Sequence, residues 1–326
     1  MFTYSVFRTV RKERLCYKTK ALQIPMDRIL VFKHIRDINE YIKMPLEAQA
    51  LIEETVNKIL DDPDFDKKCT GLTAYFFATH DNRRELVHDL AKEKGVDGDL
   101  LCLVMCELYS IETKNMYIRN GWPMSVYYDS LLDLNIWAHT CLEKTGKWGL
   151  LEYGWIALAL FGVIFRLGRL QFELVDCNEN ALPLTLGGIN IRKGCRAINI
   201  HIPEGDGITK EKRMDSYRQA YKFFNQTGYA VFMCHSWLLY PKHREFLPEN
   251  SNILSFMDDF NLFSMYEGNG EMHRVFGSAW PPADNNYDLL PQKTSIQRAF
   301  LNRIKNGGTA GGALGFFVFD GENIVS

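Results

Sequence analysis

Ala197-Ile198-Asn199-Ile200-His201-Ile202-Pro203-Glu204-Gly205-Asp206-Gly207 decides how the second half of this chain is read. Ile198, Ile200 and Ile202 alternate with Asn199 and His201, the period of a strand with one apolar and one polar face. Pro203 to Gly207 has the composition of a turn. Beyond it Met214, Tyr217, Tyr221 and Phe224 recur at helical spacing, and Gly228 stands where a cap would end that helix. A strand, a glycine-bearing turn and a helix therefore follow one another directly.

The neighbouring segments extend the pattern. Residues 165–175 alternate as one strand, with Arg169, Gln171 and Glu173 on a polar face. Residues 229–239 are apolar on both faces, which predicts a central strand. Residues 253–263 read as a helix or as a helix running into a strand, and 272–276 as a short strand. Thr294-Ser295-Ile296-Gln297 is a capping box for a helix that turns Ile296, Phe300 and Ile304 inward and stops at Gly307-Gly308. Residues 314–319 form a last strand before an Asp320-Gly321 turn. Strands and helices in this mixture predict an α+β or α/β fold.

Upstream the period is helical. Leu46, Ile52, Val56, Ile59 and Leu60 mark one helix, ended by Asp61-Asp62-Pro63. Leu86 and Leu90 with Gly95 mark a second, residues 100–109 a third, and residues 126–142 a fourth, between the Gly121-Trp122-Pro123 break and Gly146. The most apolar run, residues 155–165, lies between Glu152 and the pair Arg166 and Arg169; it is too short to span a bilayer and reads as a buried helix entering a strand. The expected organisation is a helical domain over residues 1–147 and a mixed domain over residues 148–326.

A formal net charge of −2 excludes the strong basic excess of a nucleic-acid binder. The one basic cluster, Arg8 to Lys20, reads as a solvated end. Eight cysteines lie scattered with no CxxC pair, which removes zinc-ribbon spacing and points to a reducing compartment. Cys102 and Cys106, one helical turn apart, read as packing. Charges interrupt the N-terminus before any apolar run forms, so no secretory pattern is present and a cytoplasmic protein without a metal is expected. Oligomeric state is left open.

Six blocks taken together carry a family resemblance. They are Leu150-Leu151-Glu152-Tyr153-Gly154-Trp155; Phe165-Arg166-Leu167-Gly168-Arg169-Leu170-Gln171-Phe172-Glu173; Asn199 to Gly205; Cys234-His235-Ser236-Trp237-Leu238-Leu239; Leu247-Pro248-Glu249-Asn250-Ser251-Asn252-Ile253; and Thr294 to Arg298. In this order they resemble a bacterial family of GNAT-like acyltransferase-domain proteins with a helical N-terminal domain. The resemblance implies a GNAT-like mixed sheet with flanking helices. It also implies acetyl-CoA or another acyl-CoA as co-substrate, and an amine on a small molecule as acceptor. The loop around Gly205, Gly207, Ile208 and Thr209 would then hold the pyrophosphate on backbone N–H groups and the helix N-terminus. This loop departs from the usual one: it lacks the leading Arg or Gln and carries Glu204 and Asp206, with Lys210, Lys212 and Arg213 as the cations able to compensate.

Acyl transfer to an amine needs a base, donors for the oxyanion and a proton for the thiolate. His201 and Glu204 are the base candidates. His235 occupies the corresponding region of the next strand and lines one cleft with His201 if those strands are neighbours. Glu173 orients a base or binds a cation; Arg166 and Arg169 hold an anionic group or border the sheet. Each also has a plainer reading, as a hydrogen-bonded structural histidine, a salt-bridged strand residue or an ordinary turn. Two further functions stand beside transfer: a non-catalytic binding protein on a degenerate GNAT scaffold, and a Cys234-dependent hydrolase or transferase that would need His201 or another histidine as its base.

Overall fold

The computed structural model describes residues 27–80, 83–179 and 182–325. Cys16 and the basic run from Arg8 to Lys20 lie outside them. The chain divides into two compact units, Met1–Arg166 and Leu167–Ser326.

The first unit is helical among its described residues: α1 (Arg28–Tyr41), α2 (Leu46–Asp61), α3 (Pro63–Thr79), α4 (Arg84–Lys94), α5 (Gly98–Asn120), α6 (Met124–Ser130), α7 (Leu132–Thr145) and α8 (Tyr153–Leu160). Every residue from Leu101 to Ser110 of α5 is buried, the mark of a helix surrounded on all sides. It packs against α1, α2, α3, α4, α6 and α8. The Asp61-Asp62-Pro63 stop is also a start. The Asp62 carboxylate accepts from the Asp64 and Phe65 amides, and Pro63 takes the first position of α3. Gly95 closes α4 at a φ of 67°, which a residue with a Cβ adopts only under strain.

Two expectations change here. The run expected over residues 126–142 breaks into α6 and α7 at Leu131, where the turn tightens through Leu131 N–Tyr128 O and Leu134 N–Leu131 O bonds of 3.1 and 3.0 Å. The units divide after Arg166 rather than at Trp148, because α8 packs on α5.

The second unit is built on β2 (Leu170–Asp176), β5 (Arg196–His201), α9 (Lys210–Phe223), β6 (Ala230–Ser236), α10 (Asn252–Met257), β7 (Asn261–Glu267), α11 (His273–Phe276), α12 (Ser295–Lys305) and β8 (Gly311–Phe319). With β1 (Phe165–Leu167), on which the unit boundary falls, the sheet order is β1-β2-β5-β6-β8-β7. A separate hairpin pairs β3 (Leu184–Leu186) with β4 (Ile189–Ile191). β5 and β6 are parallel, joined through α9, whereas β2–β5, β6–β8 and β7–β8 are antiparallel.

Register separates two faces. On one, Phe172, Ile198, Ile200, Phe232, Cys234, Phe317 and Phe319 are in line and meet Tyr217 and Tyr221 of α9. Gly315 lets Phe260 approach this face; a Cβ there would lie 2.8 Å from the Phe260 Cβ. The opposite face is apolar at one end. There Ala197, Met233, Leu314 and Phe316 cluster with Cys177, Ile191, Leu184 and Leu186, so that the β3–β4 hairpin covers it. Its other end is polar and carries the candidate site.

Several predicted elements are corrected. The single strand over residues 165–175 is two strands joined at Gly168-Arg169, with Gly168 at a φ of 69°. Residues 229–239 stop being strand at Ser236, where a 3-10 turn over Trp237–Leu239 begins. The short strand expected over 272–276 is helical. Helix α9 buries Arg213, Ser216, Tyr217 and Ala220, so its inner stripe is rotated from the one predicted. It ends at Phe224, followed by Asn225 at a φ of 50°, upstream of Gly228. The capping box at Thr294–Gln297 is formed.

Candidate active site

Strands β2 and β5 set the centre. Their register places Glu173 opposite Asn199 and Gln171 opposite His201, all on the face away from α9. From there His201 Nε2 lies 2.8 Å from Glu173 Oε1, and Asn199 Nδ2 donates to the same oxygen at 2.9 Å. Asn199 Nδ2 is also 3.2 Å from His201 Nε2. Two nitrogens that converge on one carboxylate oxygen are both donors to it, so the neutral imidazole carries its proton on Nε2 and its basic lone pair on Nδ1. The Glu173 side chain is 4% exposed and that of His201 is 18% exposed. The carboxyl is sealed inside while the imidazole reaches the surface.

Strand β6 continues the face. Asn199 pairs in register with Met233, and the next residue of that parity on β6 is His235, which is exposed. Its ring lies 5.4 Å from that of Tyr266 on β7, tilted by 32°. Tyr266 reaches across β8 because the strand has glycine beneath it: a Cβ at Gly312 would stand 2.4 Å from the Tyr266 hydroxyl. His201 and His235 therefore sit on neighbouring strands and on one face, beside Glu173, Asn199 and Tyr266.

The loop after β5 is exposed from Glu204 to Gly207, and Ile208 turns inward. Gly205 has a φ of 130° with open space where a Cβ would be. Thr209 caps α9, its hydroxyl accepting from the Lys212 amide at 3.4 Å. The Asp206 carboxylate receives Lys212 Nζ at 2.8 Å, a bond that holds its pKa below the usual carboxylate value. Arg169 Nε donates to the Asp206 carbonyl at 2.5 Å. Glu204, on this exposed loop, stands apart from the Glu173–His201 contact.

Three further residues take places that sequence did not give them. Arg213 is 1% exposed and forms a fork with Asp259, with Nε and Nη2 at 2.5 and 3.1 Å, while Nη2 also reaches the Ser255 carbonyl at 2.7 Å. It ties α9 to α10, and Nη1 donates to the Ile208 carbonyl at 3.4 Å, so all three of its nitrogens already have partners within the protein. Arg166 pairs with buried Asp133 at 3.5 Å in the helical unit. Cys234 is fully buried on the α9 face, opposite to His201 and His235, and burial pushes its thiol pKa well up. That placement removes the Cys–His nucleophile reading.

Asn199 and Tyr266 were not singled out from sequence. Asn199 shares the parity of His201, a signal that was present. Tyr266 has none, since its position depends on a glycine 46 residues along the chain, at Gly312.

Residues 33–162 match the family described as N-acyltransferase N-terminal domain, and residues 164–317 match the GNAT-like C-terminal domain. The chain belongs to the GNAT-like acyltransferases. This acyltransferase also shares its fold with solved structures. An acyltransferase crystallised with decanoyl-CoA and teicoplanin is 21% identical, covers 86% of each chain and superposes with a TM-score of 0.65. An acyltransferase variant in complex with octanoyl-CoA is 22% identical over 87% of each chain, with a TM-score of 0.66. No curated protein matches the chain. Among the described residues no helix is long and apolar enough to cross a membrane.

Proposed function

We propose that this GNAT-like protein transfers an acyl group from acyl-CoA to the amine of a small-molecule acceptor, with His201 as general base and Glu173 as the group that orients it. The observation that carries the reading is the 2.8 Å contact between His201 Nε2 and Glu173 Oε1 on the polar end of the sheet face, in a chain with N-acyltransferase domains. The acceptor amine attacks the thioester carbonyl, and His201 Nδ1 takes the proton that nitrogen loses. Glu173 stabilises the imidazolium that results. Collapse of the tetrahedral intermediate breaks the C–S bond, and the imidazolium returns its proton to the departing thiolate.

The backbone of Gly205, Gly207, Ile208 and Thr209 and the N-terminus of α9 hold the CoA pyrophosphate in this reading. The acidity of the loop is met at Asp206 by Lys212. Glu204 is assigned no proton ahead of His201, and His235 is assigned to the acceptor side with Tyr266. The fold neighbours hold decanoyl-CoA and octanoyl-CoA, and medium-chain acyl-CoA is the donor we assign. A cytoplasmic setting, where acyl-CoA is made, suits that donor.

Calorimetric titration of the folded chain with acetyl-, octanoyl- and decanoyl-CoA tests the donor. Thiol release on adding a panel of amines then tests transfer. Tight binding of the two longer donors and amine-dependent thiol release are expected. Folded protein that binds none of the three would overturn the reading.

A further inference from the structure

Cys177 and Cys195 lie side by side at the base of an insertion, joined by a backbone hydrogen bond just past the end of a strand pair. The β2–β5 ladder ends at the pair Asp176 and Arg196, which also form an ion pair at 3.1 Å. One step further, the Cys177 amide donates to the Cys195 carbonyl at 2.8 Å, and the Gly194 amide donates to the Cys177 carbonyl at 2.6 Å. Facing residues on adjacent antiparallel strands bring their Cβ atoms to ~4.5–5.5 Å, near the reach of a disulfide. Both cysteines are free, and Cys195 packs against the same apolar cluster that contains Cys177. Cys177 is 1% exposed, whereas Cys195 is half-buried beside the exposed Arg192, Lys193 and Gly194.

We propose that Cys177 and Cys195 form a reversible dithiol–disulfide site that fastens the β3–β4 insertion to the catalytic sheet. The oxidant is a small-molecule disulfide. The Cys195 thiolate, the accessible partner, attacks one sulfur of it, forming a mixed disulfide and releasing one thiol. The Cys177 thiolate then attacks the Cys195 sulfur, forming the internal bond and releasing the second thiol. Two cysteine thiols are oxidised and one disulfide is reduced, and the two protons go to the departing thiolates. The bond closes residues 178–194, the segment whose Leu184, Leu186 and Ile191 cover the apolar end of the face that carries Glu173 and His201.

The test uses the full reduced chain, incubated with oxidised glutathione, quenched in acid and weighed intact. Loss of two hydrogens is expected, restored by dithiothreitol. Peptide maps should join Cys177 to Cys195 and find the other six cysteines still alkylatable. Trypsin cleavage after Arg192 and Lys193 should slow several-fold in the oxidised form. Cys177→Ser should stop at one bound glutathione on Cys195, and Cys195→Ser should give no internal bond. A folded wild-type chain whose mass does not fall, or a crosslink mapped to other cysteines, overturns the proposal without reference to either variant or to acyl transfer.

Discussion

The helical unit and the sheet unit each bury a glutamate, and the two are handled in opposite ways. Glu107, at the centre of α5, is 0% exposed. One of its oxygens accepts from Asn39 Nδ2 at 3.1 Å, and Oε1 has no partner. Burial, only partly offset by Asn39, raises its pKa to about 8. Its neighbours lead nowhere outside: Ser110 Oγ donates to the Glu107 carbonyl at 2.5 Å, His34 Nε2 lies 2.9 Å from Ser110 Oγ, and Tyr127 donates to the Ser110 carbonyl at 3.0 Å. Glu173 is nearly as buried, but an imidazole that reaches the surface and an asparagine both address one of its oxygens. Burial therefore does not make a working carboxyl group. A buried carboxyl whose partner can exchange protons with a substrate can work; one enclosed by protein keeps its proton and shapes the core.

The largest effect expected from that contrast is at His201. His201→Ala should lower kcat/KM for acyl transfer by ~10²–10⁴-fold, the usual share of a positioned base, with only a modest fall in the thermal midpoint because Glu173 keeps the Asn199 amide as a partner. A rate within a few-fold of wild type would remove His201 from the proton transfer and leave the two buried glutamates functionally alike. The next effect is on stability. Arg213→Ala strands Asp259 in the core and should cost ~3–5 kcal/mol, read from chemical denaturation. Arg213 and Asp259 are a buried pair in which each charge has its partner, so this variant measures what Glu107 avoids by holding a proton.

Sequence carried much of this contrast and hid its core. The strand with His201, the capping box at Thr294 and the α5 interior were legible, because period and cap chemistry are local. The Gly168-Arg169 turn was hidden because Leu167, Arg169 and Gln171 keep the alternation of one unbroken strand. Gly187-Gly188 between Leu184–Leu186 and Ile189–Ile191 is a two-residue hairpin signal that went unread in a short segment. Glu173 was visible as a polar strand residue, yet its partner depends on the β2–β5 register. Glu107 gave no sign at all, since a charged residue inside an apolar helix looks the same whether its face meets solvent or six other helices. Arg213 misled for the same reason: a basic residue in a first helical turn reads as a phosphate ligand until Asp259 is placed beside it.

Paired isosteres sharpen the comparison at smaller magnitude. Glu173→Gln keeps the shape and removes the counter-charge of the imidazolium. A loss of ~10–10²-fold in kcat is expected, equivalent to ~1.4–2.7 kcal/mol, with a changed pH–rate profile and little change in the KM for acyl-CoA. Glu107→Gln should leave kcat and KM alone, because the proton it removes was not in use. Equal losses in the two variants would show that both act through the core, and the distinction between the units would fail.

The smallest effect is a dependence of stability on pH, and its sign follows from two groups in the helical unit. Burial first, and Lys114 second, lower the His34 pKa from 6.5 to about 4. Between those values the unfolded chain binds the extra proton, so His34 adds stability as pH rises to 6.5 and loses it on acidification through 4. Glu107 runs the other way: its pKa rises from 4.5 to about 8, the folded chain holds the extra proton, and stability falls as pH rises between those values. From pH 4.5 to 6.5 these two slopes oppose each other, and His243 of the sheet unit, lowered by burial to about 4, adds a further rise in stability with pH. Above 6.5 only the Glu107 slope is left, and the denaturation midpoint should drop until pH 8 by an amount equivalent to ~2 kcal/mol. Glu107→Gln, which has no proton to lose, should flatten this alkaline limb and steepen the rise below 6.5 that His34 and His243 share. An alkaline limb unchanged in Glu107→Gln would mean that Glu107 ionises in the folded chain as it does in water, and that its isolation in α5 is not what separates it from Glu173.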